Sequence, residues 1–450
     1  MGPFSGWSTL LHHILWGPAT LGLIFFTGLY FSIGTHFFQF RHMALWLRGT
    51  LLAVICDRET RGHHGPALSQ FQTLSTALAG TIGTGSVVGV ATAISSGGPG
   101  AIFWMWVCAL LGMMTKFSEN VLGNRYRYQE KTGAWMGGPM VYMERGLGCR
   151  KLAVWFAVCC ALAAFGIGNL AQANSIAGAL QASFHIPPQT AAFLLAALTG
   201  MVLLGGIQRA ASVAECFVPA MTLFFLAGGA FILFRFRCNL PSAFHAIFQN
   251  AFQPAAAAGG TGAYALAHTI SVGVARGIFS NEAGLGSSVI INCTSNVKEP
   301  VRQGMWGIFE VFLSTMVICT MSALVFLCTG TWQEGDGPQM AIAAFSQGLG
   351  PWGGVFLSLS LICFAFSSIV GWSCYGERAV AYLFGPKPLK LYRLLFTLAA
   401  GIGCVAHLDA VWAVSDILNG FMALPNLIAI LLLSKEVFRL TNEFLQRSRL

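Results

Sequence analysis

Long apolar runs separated by short polar loops fill this chain from end to end. Each run is about 20 residues long, the length a helix needs to cross the hydrocarbon of a bilayer. Eleven such segments can be marked, at residues 14–35, 70–96, 100–122, 152–182, 190–207, 212–235, 262–294, 305–330, 352–384, 391–407 and 412–434. They are called segments 1 to 11 below. The pattern predicts an all-α polytopic membrane protein with about eleven transmembrane helices.

Two segments do not read as plain helices. In residues 74–98, LSTALAGTIGTGSVVGVATAISSGG, the centre holds Gly80, Gly83, Gly85 and Gly89, with Thr81, Thr84 and Ser86 among them. Each Gly costs a helix interior up to about 1 kcal/mol against Ala. Unwound backbone inside a membrane is tolerated only where it lines a cavity or is buried in protein. Its freed carbonyls can hold a cation, and its N–H groups can hold a carboxylate. The second such stretch is HTISVGVARGIFSNEAGLGSS, residues 268–288, with Gly273, Gly277, Gly284, Gly286, Arg276, Asn281 and Glu282.

Set segment 1 aside and two five-helix halves remain, segments 2–6 and 7–11, each opening on an interrupted helix. The halves run in opposite directions. Interrupted helices at matching positions of inverted halves point to a transporter's binding site. The expected organisation is one transmembrane domain over 1–450, with an extra first helix and loop (1–69), a first repeat (70–236) and a second repeat (262–435). The repeat rests on position, since the halves share no clear sequence identity. Plainer readings are a glycine packing face around Gly85 and Gly89 and a polar-capped cytoplasmic helix end at Asn281 and Glu282, the latter at even weight with a gating role. A nucleotide loop fails, because GTGSVVG lacks the GxGxxG spacing and follows no strand.

Charge orients the chain. The loops after segments 1, 3, 5, 7 and 9 and the tail after segment 11 carry 21 of the 25 basic residues, while the opposite loops carry only Arg235 and Arg237. Lys116 and Arg276 fall inside segments. By the positive-inside rule the N-terminus is outside and the C-terminus cytoplasmic. The composition agrees: 55% of residues are hydrophobic and only 9% charged, against about 25% in soluble domains. A net charge of +9 would suggest nucleic acid in a soluble protein; here it sits in membrane-flanking loops, and no nucleic-acid partner is expected. The thirteen cysteines are scattered, without a CxxC pair, and read as small buried hydrophobes. The pairs His12–His13 and His63–His64 read as interfacial polar residues. The first apolar stretch lacks a preceding basic region and reads as a first span, not a cleavable signal.

With these motifs in place, the chain resembles the alanine or glycine:cation symporter family (the sodium:alanine symporters), of the amino acid-polyamine-cation superfamily fold, over nearly its whole length. GTGSVVGVATAISSGGPGAIFWMWVCALLGMMTKFSE and RGIFSNEAGLGSS are similar to its two longest signatures. FGIGNLAQANS (165–175), FAFSSIVGWSCYGER (364–378) and GLYFSIGTHFFQFR (28–41) resemble three more. The resemblance implies a bacterial or archaeal secondary transporter in the cell (inner) membrane, taking up alanine or glycine with sodium by alternating access. It implies no enzymatic cofactor, sodium as coupling ion, the lipid bilayer as surroundings and function as a monomer.

Carried over residue by residue, the resemblance puts the substrate carboxylate on Thr84 and Gly85 with Ser86 beside them. Phe165, Phe279 and Trp372 become apolar walls, Gln172 and Asn174 polar neighbours, and Thr269, Ser271 and Gly273 the unwound part of segment 7. Sodium falls to the carbonyls of Ala79, Ile82 and Phe364 and the hydroxyls of Ser367 and Ser368, hard oxygens suited to such a cation. The plain reading of the two serines is helix-to-helix hydrogen bonding, and that of the aromatics is packing. This chain has Ser86 where the family usually has Asn, and AGTI where an alanine–arginine pattern is commoner.

Three other functions compete. A proton-coupled symporter of the same fold needs a titratable group in mid-membrane, and Glu119, Glu215, Glu282, Glu310, Glu377, Asp409 and Asp416 all lie near segment ends or loops, which favours sodium. A channel needs repeated filter sequences, and each broken segment occurs once. An enzyme lacks its motifs: no HExxH, GxSxG or paired mid-membrane carboxylates are present.

Overall fold

A computed structural model describes residues 15–56, 67–130, 133–252, 262–333, 337–406 and 409–447, with backbone alone at 55–56, 262–264 and 409–415. His12–His13, His63–His64 and the side chain of Asp409 lie outside the described residues.

All eleven apolar segments are helical. Segment 1 is Pro18–Gly34, segment 3 Gly100–Tyr126, segment 5 Pro188–Leu203, segment 6 Gly206–Arg235, segment 9 Gly353–Phe384, segment 10 Leu389–Val405 and segment 11 Asp409–Leu432. Segments 4 and 8 each contain a wider turn. Arg150–Phe165 passes through Gly166–Leu170 into Ala171–Phe184, and Pro300–Val311 passes through Phe312–Cys319 into Thr320–Thr329. Such π-type turns leave backbone groups off the regular ladder and often occur near functional sites.

Among the described residues, five helical stretches are long and apolar enough to cross a membrane alone: Gly100–Tyr126, Arg150–Phe184, Gly206–Arg235, Pro300–Thr329 and Gly337–Phe384. A sixth is added if Asp416–Leu432 and Ser434–Arg447, bent by 59°, count as one. The remaining segments are shorter or interrupted. Helices also occupy stretches that the apolar pattern left as connections, among them Leu240–Phe252, Gly337–Leu349 and Ser434–Arg447. The first presses its backbone on segment 3, where Trp104 Nε1 donates to the Ala251 carbonyl at 3.1 Å.

Segment 2 is broken, as its glycines predict. Helix Gln70–Thr81 begins on a capping box: Ser69 Oγ accepts from the Gln72 N–H at 3.1 Å, and Gln72 Oε1 accepts from the Ser69 N–H at 3.3 Å. It stops at Ile82, a short turn Thr84–Ser86 follows, and helix Val88–Gly97 resumes. Segment 7 breaks elsewhere than expected. Gly262–Asn281 is a continuous helix through Thr269, Ser271 and Gly273, and the irregular stretch runs over 282–288. There Glu282, Gly284 and Gly286 have φ of 54°, 91° and 75°, so these two glycines meet the conformational demand. Gly273 instead serves packing, because a Cβ there would lie 2.4 Å from the Ala101 carbonyl oxygen.

Small residues bring helices together elsewhere too. A Cβ on Gly371 of segment 9 would lie 2.4 Å from the Gly80 nitrogen. One on Gly307 of segment 8 would lie 2.9 Å from the Lys116 carbonyl oxygen. Outside this core a belt of large apolar side chains faces outward, including Phe193, Leu204, Leu223, Phe234 and Ile402. The described cysteines are all free; Cys149, Cys216 and Cys238 are exposed and most of the others buried.

Candidate functional site

The break in segment 2 leaves polar backbone at the centre of the fold. Among the described residues, the amide N–H groups of Thr84 and Gly85 enter no backbone hydrogen bond. They precede helix Val88–Gly97, whose N-terminal end favours negative charge. Thr84 Oγ1 donates to Gln172 Oε1 at 3.2 Å, and Gln172 Nε2 donates to the Ile167 carbonyl at 3.2 Å. Segment 4 is thereby tied to the break.

A cavity of about 360 Å³ opens beside it. Gly85, Gln172, Ser271, Phe279, Ser368 and Trp372 line it, joined by Arg276, Glu282 and Asp416. A second hollow of about 310 Å³ adjoins, lined by Thr84, Thr92 and Ser175 and sharing Gly85, Arg276, Phe279 and Asp416 with the first. Phe279 sits so close to Gly85 that a Cβ there would lie 2.6 Å from its ring. Trp372 rests on Gly168, where a Cβ would lie 2.3 Å away. Cavities of this size with a few polar groups suit a small ligand.

The five candidate sodium ligands gather where the break meets segment 9. Ser367 Oγ donates to the Phe364 carbonyl at 2.9 Å and reaches the Ile82 carbonyl at 3.5 Å. Ala79 lies against the same helix, its carbonyl carbon 3.0 Å from a Cβ built on Gly371. Ser368 Oγ is buried without a partner and lies 2.6 Å from a Cβ built on Gly83. An orphaned hydroxyl among carbonyls is a donor set that fits a hard monovalent cation.

Other expected residues stand apart. The Phe165 ring packs on Tyr392 and Phe396, with centroids 5.4 and 5.2 Å away, and lines neither cavity. Asn174 Nδ2 donates to the Ala406 carbonyl at 3.4 Å, and Thr269 Oγ1 to the Gly97 carbonyl at 2.9 Å. Gly273 faces segment 3. Ser86 lines neither cavity; its hydroxyl lies against Cys319, and its carbonyl accepts from Ser322 Oγ at 2.8 Å.

The acidic residues need the clearest correction. Glu119, Glu282 and Glu310 read as lying near segment ends or loops, yet in the fold they are 0%, 3% and 0% exposed. Helix packing covers these ends with the 282–288 stretch and segments 3, 8 and 11. Glu282 and Asp416 line the cavity itself. Glu377 is nearly buried too and is held by Arg393 at 2.7 and 2.8 Å. Arg276, Glu282 and Asp416 had no assigned part in the site. The available signal was a charge inside an apolar run, plain for Arg276.

Comparison with known proteins identifies the family and the fold. The sequence model of the sodium:alanine symporter family matches residues 4–450. The sodium/alanine symporter AgcS of Methanococcus maripaludis is 41% identical over 443 residues, covering 96% of each chain. The amino-acid carrier protein AlsT of Bacillus subtilis is 34% identical over 94% of this chain and 88% of its own. Among solved structures, MhsT in complex with L-phenylalanine superposes with a TM-score of 0.59 at 14% identity, covering 82% of this chain and 89% of its own. A substrate-bound, outward-open Na+-coupled sialic acid symporter gives 0.53 at 12% identity, over 90% and 81%. Those two likenesses establish the fold.

Proposed function

The chain belongs to the sodium:alanine symporter family, and from that premise we propose that it imports a small neutral amino acid, alanine or glycine, with sodium by alternating access. It is a multi-pass membrane transporter coupled to sodium and not an enzyme. In this reading eleven helices cross the cell (inner) membrane, with the N-terminus outside and the C-terminus cytoplasmic. Residues 1–69 precede two inverted repeats, 70–236 and 262–435, and the protein works as a monomer.

The substrate carboxylate docks on the Thr84 and Gly85 N–H groups at the start of Val88–Gly97. Gln172 and Thr84 fix the floor, and Phe279 and Trp372 limit the side chain. Sodium takes Ser367, Ser368 and the carbonyls of Ala79, Ile82 and Phe364. Neutral oxygens bind it weakly enough for release at the end of each cycle.

The observation that carries this reading is the orphaned Ser368 hydroxyl, which lines the substrate cavity and abuts the break at once. A cation held there would face the substrate carboxylate across a short gap, so each would strengthen the other's binding. Radiolabelled alanine uptake into proteoliposomes tests it. Uptake should collapse when potassium replaces sodium while the proton gradient is kept. Uptake that follows only the proton gradient would overturn the proposal.

A further inference from the structure

Four charged side chains are shut away from water around the break in segment 7. Lys116 and Glu119 stand three residues apart on segment 3, on one face of the helix. Glu310 lies on segment 8, and Glu282 is the first residue of the break. None is more than 3% exposed.

The three carboxylates are held differently. Glu310 accepts from Ser288 Oγ at 3.1 Å on one oxygen and from Asn292 Nδ2 at 2.7 Å on the other, and it faces Lys116. Lys116 acts on all three carboxyl groups, and its ammonium donates to the Glu282 backbone carbonyl at 3.3 Å. Glu119 Oε1 accepts from the Gly284 N–H at 3.1 Å and from Asn426 Nδ2 at 2.5 Å, while Oε2 has no partner. Glu282 Oε2 accepts from Ser287 Oγ at 2.5 Å, and Glu282 alone of the three lines the substrate cavity.

One ammonium cannot balance three carboxylates. Two further negative charges would be buried if all were ionised, and buried charges persist only when compensated. Among the described residues no cluster of acidic, thiol or imidazole groups could hold a metal ion, so a shared cation does not supply the balance. Protons can supply it. Glu119 is fully buried, behind the break. Glu282 lines the cavity that Ser368 also lines, a space in which the sodium-coupled reading expects a positive charge.

We propose that Glu282 is a proton-binding site of the transport cavity, holding a proton while the cavity is empty and releasing it when sodium and the substrate's ammonium group enter. Positive charge arriving nearby favours the ionised carboxylate. The linkage is reciprocal, so a proton on Glu282 weakens cation binding by the same factor. The groups facing it are Lys116 from segment 3, Cys160 from segment 4, Glu310 from segment 8, and Trp372 and Tyr375 from segment 9. Arg276 and Asp416 line the same cavity. Thiol and phenol are uncharged near neutral pH, so they do not mask the exchange. The backbone suits a moving part: Glu282 is one of only four non-glycine residues described with positive φ, and such strain collects where a structure switches.

The proposal rests on the sodium-coupled reading, and one experiment tests both separately. Purified protein in weakly buffered, sodium-free detergent solution receives sodium and alanine while an indicator dye reports pH. Up to one proton per protein should appear. Apparent sodium affinity, followed by alanine-dependent thermal stabilisation between about pH 5.5 and 8.5, should strengthen by up to about tenfold per pH unit. Glu282→Gln keeps the shape and removes the titration; it should release no proton and show a flat pH profile. No proton release from the wild-type protein would overturn the proposal whether or not the variant folds, as would a variant that keeps the wild-type profile. Alanine stabilisation that ignores sodium at every pH would instead overturn the sodium reading, and this one with it.

Discussion

Ser368→Ala separates a sodium ligand from a packing residue, because the two roles predict opposite signs. The Ser368 hydroxyl is buried with no partner. An unpaired buried hydroxyl costs about 1–3 kcal/mol. In the absence of sodium, removing it should leave stability unchanged or raise it. With sodium present, the same change deletes one of few oxygen ligands. A fall in affinity of about tenfold, or ~1.4 kcal/mol, is the least expected. Ser367→Ala is the internal comparison. Its hydroxyl is already satisfied at 2.9 Å by the Phe364 carbonyl and only reaches toward Ile82 at 3.5 Å, so its effect on sodium should be smaller. The assays are thermal unfolding in choline against sodium, and sodium titration of alanine uptake in proteoliposomes. Ser368→Ala should match or exceed the wild-type Tm in choline, gain less from sodium and need at least about ten times more of it for half-maximal uptake. A well-expressed variant with wild-type sodium dependence refutes the reasoning. So does a variant that melts earlier in choline, which would mean the hydroxyl makes a structural bond.

Four further outcomes follow from other parts of the fold. Gly85→Ala puts a Cβ 2.6 Å from the Phe279 ring; half-saturation for alanine should rise at least about tenfold, with Phe279→Leu restoring part of it in uptake assays. Gly371→Ala meets the Gly80 nitrogen and Cα at 2.4 and 2.7 Å. Backbone cannot step aside, so a loss of about 1–3 kcal/mol should appear as a lower Tm. In a cysteine-free background, a cysteine at Lys131 should resist an impermeant thiol reagent in intact cells while one at Gly335 reacts; the reverse would invert the topology. In the tail helix, hydrogen bonds from Arg439 and Arg125 hold the Glu436 carboxyl below the usual carboxylate range. That stabilisation is complete at neutral pH and lost only as pH falls through the lowered value, so hydrogen exchange in Ser434–Arg447 should quicken only in acid.

How far the sequence reaches depends on what each residue type encodes. Apolar length is a local property, so all eleven segments were legible within a few residues. The break in segment 2 was legible too, because its glycines are joined by threonines and serine, which favour no alternative helix contact strongly. Segment 7 misled, since glycine has two uses that look alike in one dimension. Gly273 and Gly277 allow segment 3 to approach, whereas Gly284 and Gly286 bend the chain. Helical geometry alone could have chosen between Gln172 and Asn174: positions two apart point about 200° from one another, so one cavity cannot take both. Phe165 belongs with segment 10, a partner more than 200 residues away that no local pattern announces. The buried carboxylates were hidden for the same reason. Glu119 and Glu310 sit near the ends of segments 3 and 8 and Glu282 at a break inside segment 7, and only the packing of these segments brings the three into one interior.

That packing gives the site a division of labour. A carboxylate placed directly on the sodium ion would bind it through full charge and hold it against release. The proposed ligands are hydroxyls and carbonyls, which carry partial charge only. The acidic groups stand apart from those ligands, Glu282 on the cavity wall and Glu119 and Glu310 behind it, tied by Ser287, Gly284, Asn426, Ser288 and Asn292. Most of those donors lie in or beside the 282–288 break. Any movement that straightens the break must therefore exchange hydrogen bonds on all three carboxylates at once, and a partial movement would leave buried acceptors bare at a cost of about 1–3 kcal/mol each. Under the proposed alternating access, that cost would disfavour intermediate positions of segment 7. Ser288→Ala, which removes one donor to Glu310 without touching the cavity, should then slow or uncouple turnover while leaving equilibrium binding of sodium and alanine close to wild type.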